Sequence, residues 1–156
     1  MQLFLMRHGE AQLMAASDRE RALTLDGQQQ TSKVGQWLLQ QHVNFDLILV
    51  SPYLRAQQSW QLLAPLFGED KQVLTCEELT PDADPSRAVD LLLAYGEHYQ
   101  AKQVLVLAHM PLLGYMVSDL VMGSEPPLFA TSGIALIEPN QQLRQLSWLY
   151  TPYNLA

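Results

Sequence analysis

Three short apolar runs constrain this chain more than any other feature: Leu3 to Met6, the core of Asp46 to Ser51 (DLILVS), and Gln103 to Ala108 (QVLVLA). Each is continuous rather than alternating, which is the pattern of a strand buried on both faces. Such strands need helices above and below them, and helical spacing does separate the runs. One helix is expected from about Gln28 to Gln41, with Val34, Trp37 and Leu38 on one face and Thr24 or Asp26 as its cap. A second follows Ser51, which can cap it, with Pro52 and Arg55 in the first turn, a buried stripe of Trp60, Leu63 and Phe67, and a kink at Pro65.

A shorter third strand is expected over Gln72 to Cys76, then a turn-rich connection and a helix with Asp84 as cap and Pro85 at its first position. That helix places Ala88, Leu91, Leu92, Tyr95 and Tyr99 on one side. Met110 and Pro111 open a further helix running to about Val121. The runs near Gly133 to Glu138 and Leu143 to Tyr150 alternate as antiparallel or edge strands do. The expected fold is a single α/β domain over 1–156, a three-layer α/β/α sandwich whose central sheet is largely parallel and mixed at one edge.

Polar residues gather where these strands end. QLFLMRHGE delivers Arg7 and His8 to the end of the first strand, where Gly9 marks the turn; Arg55 lies just beyond the second, and His109 follows the central one. Parallel strands put all these ends on one rim of the sheet, where ligands of α/β proteins bind. Two Arg, two His and two helix starts on that rim describe a place for a dianionic phosphoryl group. A His pair also suits a metal, but no HExxH and no clustered carboxylates accompany either His.

The chain carries nine Lys and Arg against sixteen Asp and Glu, a formal charge of −7, so its overall field repels nucleic acid and anionic lipid. An anionic substrate must then be met by a local cationic pocket. Cys76 is the only cysteine, which excludes an internal disulfide framework and fits a reducing compartment, with the cytoplasm as the default. No signal-peptide pattern opens the chain, and no apolar run approaches the ~20 residues of a membrane span.

MRHGE at Met6–Glu10, SPYLRAQQS at Ser51–Ser59 and AHMPLLG at Ala108–Gly114 resemble, in order and separation, the three signature segments of the histidine phosphatase superfamily, the phosphoglycerate-mutase-like fold. LTLDG at Leu23–Gly27 and TSGIA at Thr131–Ala135 extend the resemblance along nearly the whole chain. SDRERALT, EELTP, HMPLLGYMV and PPLFATSGIA resemble its bacterial phosphohistidine phosphatases in particular. The resemblance implies that His8 is the nucleophile, that Arg7, Arg55 and a protonated His109 bind the phosphoryl oxygens, and that neither metal nor cofactor is needed. It also implies a phosphohistidine-bearing protein, such as a phosphotransfer domain, as substrate and partner.

Members acting on phosphate esters carry a glutamate that protonates the leaving group, in a Leu-x-Glu spacing that here reads Leu79, Thr80, Pro81. Glu77 and Glu78 remain candidates for that acid, although an imidazole leaves without one when its far nitrogen carries the proton. The stretch from Cys76 to Ala88 is too short for a lid, so the mouth is expected to be open. Arg19 and Arg21 are candidates to line the rim, Arg21 as a further substrate-binding residue. Glu10 is expected to orient an Arg or cap local N–H groups, and Thr131 and Ser132 are candidates to touch the pocket. The alternatives are a small-molecule phosphomonoesterase of the same fold and a catalytically silent phospho-ligand binding module.

Overall fold

The computed structural model describes all 156 residues, Met1–Ala156. Six strands, β1 (Gln2–Arg7), β2 (Leu47–Val50), β3 (Gln72–Thr75), β4 (Gln103–Ala108), β5 (Ile134–Asn140) and β6 (Leu143–Tyr150), form one sheet in the order β3-β2-β4-β1-β5-β6. The β3-β2-β4-β1 portion is parallel, whereas β5 pairs antiparallel with both β1 and β6. This is the expected mixed sheet, with the antiparallel edge formed by the C-terminal strands.

Four helices, α1 (Leu25–Gln40), α2 (Leu54–Phe67), α3 (Pro85–His98) and α4 (Leu112–Leu120), cover its two faces. Successive side chains of a strand point to opposite faces, and the apolar runs divide accordingly. Phe4, Met6, Ile48, Val50, Leu105 and Leu107 pack with Val34, Trp37 and Leu38 of α1 and Trp60, Leu63 and Phe67 of α2. Leu3, Leu5, Leu47, Leu49, Val104 and Val106 pack with Ala88 and Leu92 of α3 and with Leu113, Met116 and Val117 of α4. Burial on both sides of the sheet is why these strands read as unbroken apolar runs. No helix is long and apolar enough to cross a membrane.

Several local expectations shift. α1 starts at Leu25 rather than Gln28, because Thr24 is the cap and its hydroxyl accepts from the Gly27 N–H at 3.0 Å. α2 starts at Leu54 and runs through Pro65 to Phe67, so Ser51 is not its cap. α3 is capped by Asp84 as expected, but its buried side is Ala88, Val89, Leu92 and Gly96, with Tyr99 exposed beyond its end. α4 begins at Leu112, two residues after Met110, since a residue preceding proline is driven out of the helical conformation.

Candidate active site

β1 and β4 are neighbours, and their register pairs Arg7 with Ala108. The next residue of each strand is therefore a histidine, His8 beside His109, and the ladder continues there through the His8 N–H, which donates to the Ala108 carbonyl at 3.1 Å. The imidazole centroids lie 5.0 Å apart. Both rings are buried, as is Arg55.

The His8 Nδ1 lies 2.7 Å from the Gly9 carbonyl oxygen. A carbonyl only accepts, so the ring proton sits on Nδ1 and the lone pair on Nε2. That lone pair receives the Nε–H of Arg55 at 3.2 Å. Burial pushes the His8 imidazole down to about 3; the bond to Gly9 opposes this, and the positive charges of Arg55, Arg7 and Arg21 add to it. A neutral imidazole with its lone pair facing a cationic site has the chemistry of a nucleophile for an anionic group.

His109 is set by Ser51. Its Nε2 is 2.7 Å from the Ser51 hydroxyl oxygen, which also accepts from the Tyr53 N–H at 3.2 Å, while its buried Nδ1 has no protein partner. Burial holds His109 well below the ordinary imidazole range, with His8, Arg55 and Arg7 contributing. In the free site His109 is therefore held neutral. A bound dianion would offset those positive charges and favour the proton.

Arg7 donates through Nη1 to the Phe129 carbonyl at 2.8 Å, and its buried Nε has no protein partner. Unpartnered buried nitrogens on Arg7 and His109 are donors that an oxyanion could satisfy. The Arg55 guanidinium lies 5.0 Å from the Tyr53 ring centroid, and that ring meets His109 edge-on.

The loop carrying His8 is tied down from three sides. The Gly9 N–H donates to Ser59 Oγ at 3.0 Å, and that hydroxyl donates to the Arg55 carbonyl, so α2 holds both the His8 loop and Arg55. The Ser132 N–H donates to the His8 carbonyl at 2.9 Å, and its hydroxyl bonds Thr31. A Cβ on Gly9 would stand 2.6 Å from the Thr31 hydroxyl and 2.7 Å from the Gly27 carbonyl, so close approach, rather than the turn, requires glycine here.

Other candidates lie elsewhere or do other work. Arg21 is at the rim but engaged: its Nε donates to the Gln12 carbonyl and its Nη1 to Asp18. Arg19 pairs with Glu77, whose carboxylate is thereby occupied, and Glu78 makes no hydrogen bond or ion pair with any of the four converging residues. The Glu10 carboxylate accepts from the Thr24 hydroxyl and its main-chain carbonyl from the Thr24 N–H at 2.9 Å, and neither bonds an arginine. Sequence reasoning passed over Asp18 and the Ser51–His109 bond; the one available signal for Asp18 was an acid set among the arginines of SDRER.

A family model of the histidine phosphatase superfamily (branch 1) matches residues 3–81. The chain is 37% identical to the phosphohistidine phosphatase SixA of Escherichia coli, covering 99% of this chain and 96% of that protein. It is 38% identical to a SixA homolog from Haemophilus influenzae, covering 86% of each. The fold matches a structure of the protein histidine phosphatase SixA complexed with tungstate, with a TM-score of 0.93, 37% identity and full coverage of both chains.

The chain belongs to the histidine phosphatase superfamily. As in the resemblance drawn from its three segments, MRHGE lies at the end of β1, SPYLRAQQS leads into and through the first turns of α2, and AHMPLLG spans the end of β4 and the start of α4. The superfamily fold brings the four residues singled out in those segments together, with His8, Arg55 and His109 buried and Arg7 half-buried.

Proposed function

We propose that this protein is a phosphohistidine phosphatase that hydrolyses phosphohistidine on a signalling or phosphotransfer protein, such as a phosphotransfer domain, through a covalent phosphohistidine on His8. The observation that carries the reading is the His8 ring itself. Its Nδ1 is bound to the Gly9 carbonyl, its Nε2 lone pair faces Arg55, and its charge is suppressed. Near full-length similarity to proteins named for this activity supports it.

The site's residues account for each step. His8 Nε2 attacks phosphorus as the bond to the substrate imidazole breaks, and the leaving nitrogen takes the electron pair. With a proton on its far nitrogen the substrate imidazole departs neutral, so no general acid is called for. The phosphorylated His8 ring is then cationic, with its Nδ1–H still directed at the Gly9 carbonyl. Water attacks phosphorus, both of its protons leave with inorganic phosphate, and neutral His8 is restored. Arg7, Arg55 and His109 hold the equatorial oxygens, where charge stabilisation and positioning do most of the work of phosphoryl transfer.

No group of three or more His, Cys, Asp or Glu is placed to hold a metal ion. A single domain spanning 1–156 and a cytoplasmic setting complete the reading; the buried Cys76, its thiol pushed up to about 11 by burial, is an unreactive packing residue in it. The test is release of inorganic phosphate from a histidine-phosphorylated phosphotransfer domain. Rapid release that disappears in His8→Ala is expected; faster turnover of sugar phosphates would favour the phosphomonoesterase instead.

A further inference from the structure

Asp18 stands on a single helical turn, Asp18–Glu20, in the connection from β1 to α1, and it takes hold of Arg55 twice. Its main-chain carbonyl accepts from Nη1 at 2.7 Å, and its carboxylate accepts from Nη2 at 3.3 Å. The remaining nitrogen, Nε, is the one that donates to His8. Every hydrogen bond made by this guanidinium therefore goes either to Asp18 or to the nucleophile. The other carboxylate oxygen of Asp18 accepts from Arg21 at 3.0 Å, so one acid bridges two arginines.

A carboxylate here opposes the rest of the site. Arg7, Arg21 and Arg55 attract a phosphoryl dianion, whereas a fixed negative charge repels it. The hydrogen bond from Arg21, with further help from Arg55, holds the Asp18 carboxyl below the usual carboxylate range against the opposing effect of burial. The arrangement makes sense as orientation. Arg presents its donors in a rigid planar fork, and a two-point hold on Nη1 and Nη2 fixes where Nε points.

Resting on the phosphatase reading above, we infer that Asp18 is a positioning residue that holds the Arg55 fork with Nε toward His8 Nε2, acting through Arg55 rather than on the substrate. The experiment is a double-mutant cycle in the full chain, with a histidine-phosphorylated phosphotransfer domain as substrate and tungstate as the anion probe. Asp18→Asn keeps the main-chain carbonyl and removes the charge, and Arg55→Lys keeps a cation but removes the fork.

Asp18→Asn is expected to lower kcat about tenfold, the scale of losing a charged hydrogen bond, with little change in KM. In the Arg55→Lys background the same substitution is expected to cost less than about twofold, because contacting residues are not additive. Tungstate inhibition is expected to be unchanged or tighter, since a repelling charge is gone. Additive losses in the cycle, or loss of tungstate binding together with activity, overturn the assignment. Wild-type activity in Arg55→Lys alone would instead strike at the phosphatase site itself, a result separate from additivity in the cycle.

Discussion

His8 and His109 stand side by side one residue past the paired Arg7 and Ala108, with ring centroids 5.0 Å apart and both rings buried among arginines. The pairing of β1 with β4 thus places two imidazoles where neither readily accepts a second proton. In the free enzyme both are expected to stay neutral as pH falls from 8 to 5, and imidazole NMR titration checks this. A titration of either ring near 6.5 would contradict the burial that defines the site. Because the folded His8 lies at about 3 and the unfolded chain titrates near 6.5, the unfolded state takes up the proton first. Folding stability from this group is complete above that value and is lost as pH falls through the interval between the two.

Ser51 is expected to matter through His109. Ser51→Ala removes the partner of His109 Nε2 and of the Tyr53 N–H inside the protein, at a cost of about 1–3 kcal/mol of stability. Denaturant unfolding measures that cost. Activity is expected to fall with it, since an unanchored ring no longer presents Nδ1 to the phosphoryl oxygens, and a variant of wild-type stability and rate would mean that the bond positions nothing.

Gly9→Ala introduces a methyl group against the Gly27 backbone and the Thr31 hydroxyl, neither of which is a flexible side-chain end. Overpacking of this kind costs about 1–3 kcal/mol. A drop in the denaturation midpoint at unchanged slope is the expected result, accompanied by reduced activity because the same loop carries His8.

Chelation is expected to have no effect. With two arginines and two imidazoles around the reacting phosphorus in the proposed mechanism, phosphate release should proceed at the same rate with and without EDTA. A rate that falls on chelation and returns with a divalent cation would require a different account of charge stabilisation.

Much of the architecture was readable in advance, and the reasons are local. Continuous apolar runs mark β1, β2 and β4 because both of their faces are covered, and Asp84-Pro85 marks the start of α3 because cap and fixed φ coincide there. Convergence of Arg7, His8, Arg55 and His109 followed from parallel strands ending on one rim. The rest depends on tertiary contact. Asp18 reaches Arg55 across 37 positions and Ser51 meets His109 across 58, and no spacing rule links residues so separated. The charge of His109 likewise depends on how deeply the fold buries it, and Ser51, which resembles a helix cap in the sequence, is taken up by that histidine instead.

The covalent intermediate offers the most direct test of the whole account. Wild-type enzyme mixed with a phosphotransfer domain carrying radiolabelled phosphohistidine is quenched in alkali within the first turnover and mapped by mass spectrometry. Label on Nε2 of His8, absent in His8→Ala and depleted as phosphate is released, is the predicted result. Phosphate release at the full rate with no labelled enzyme at any time, or with label on another residue, would contradict it.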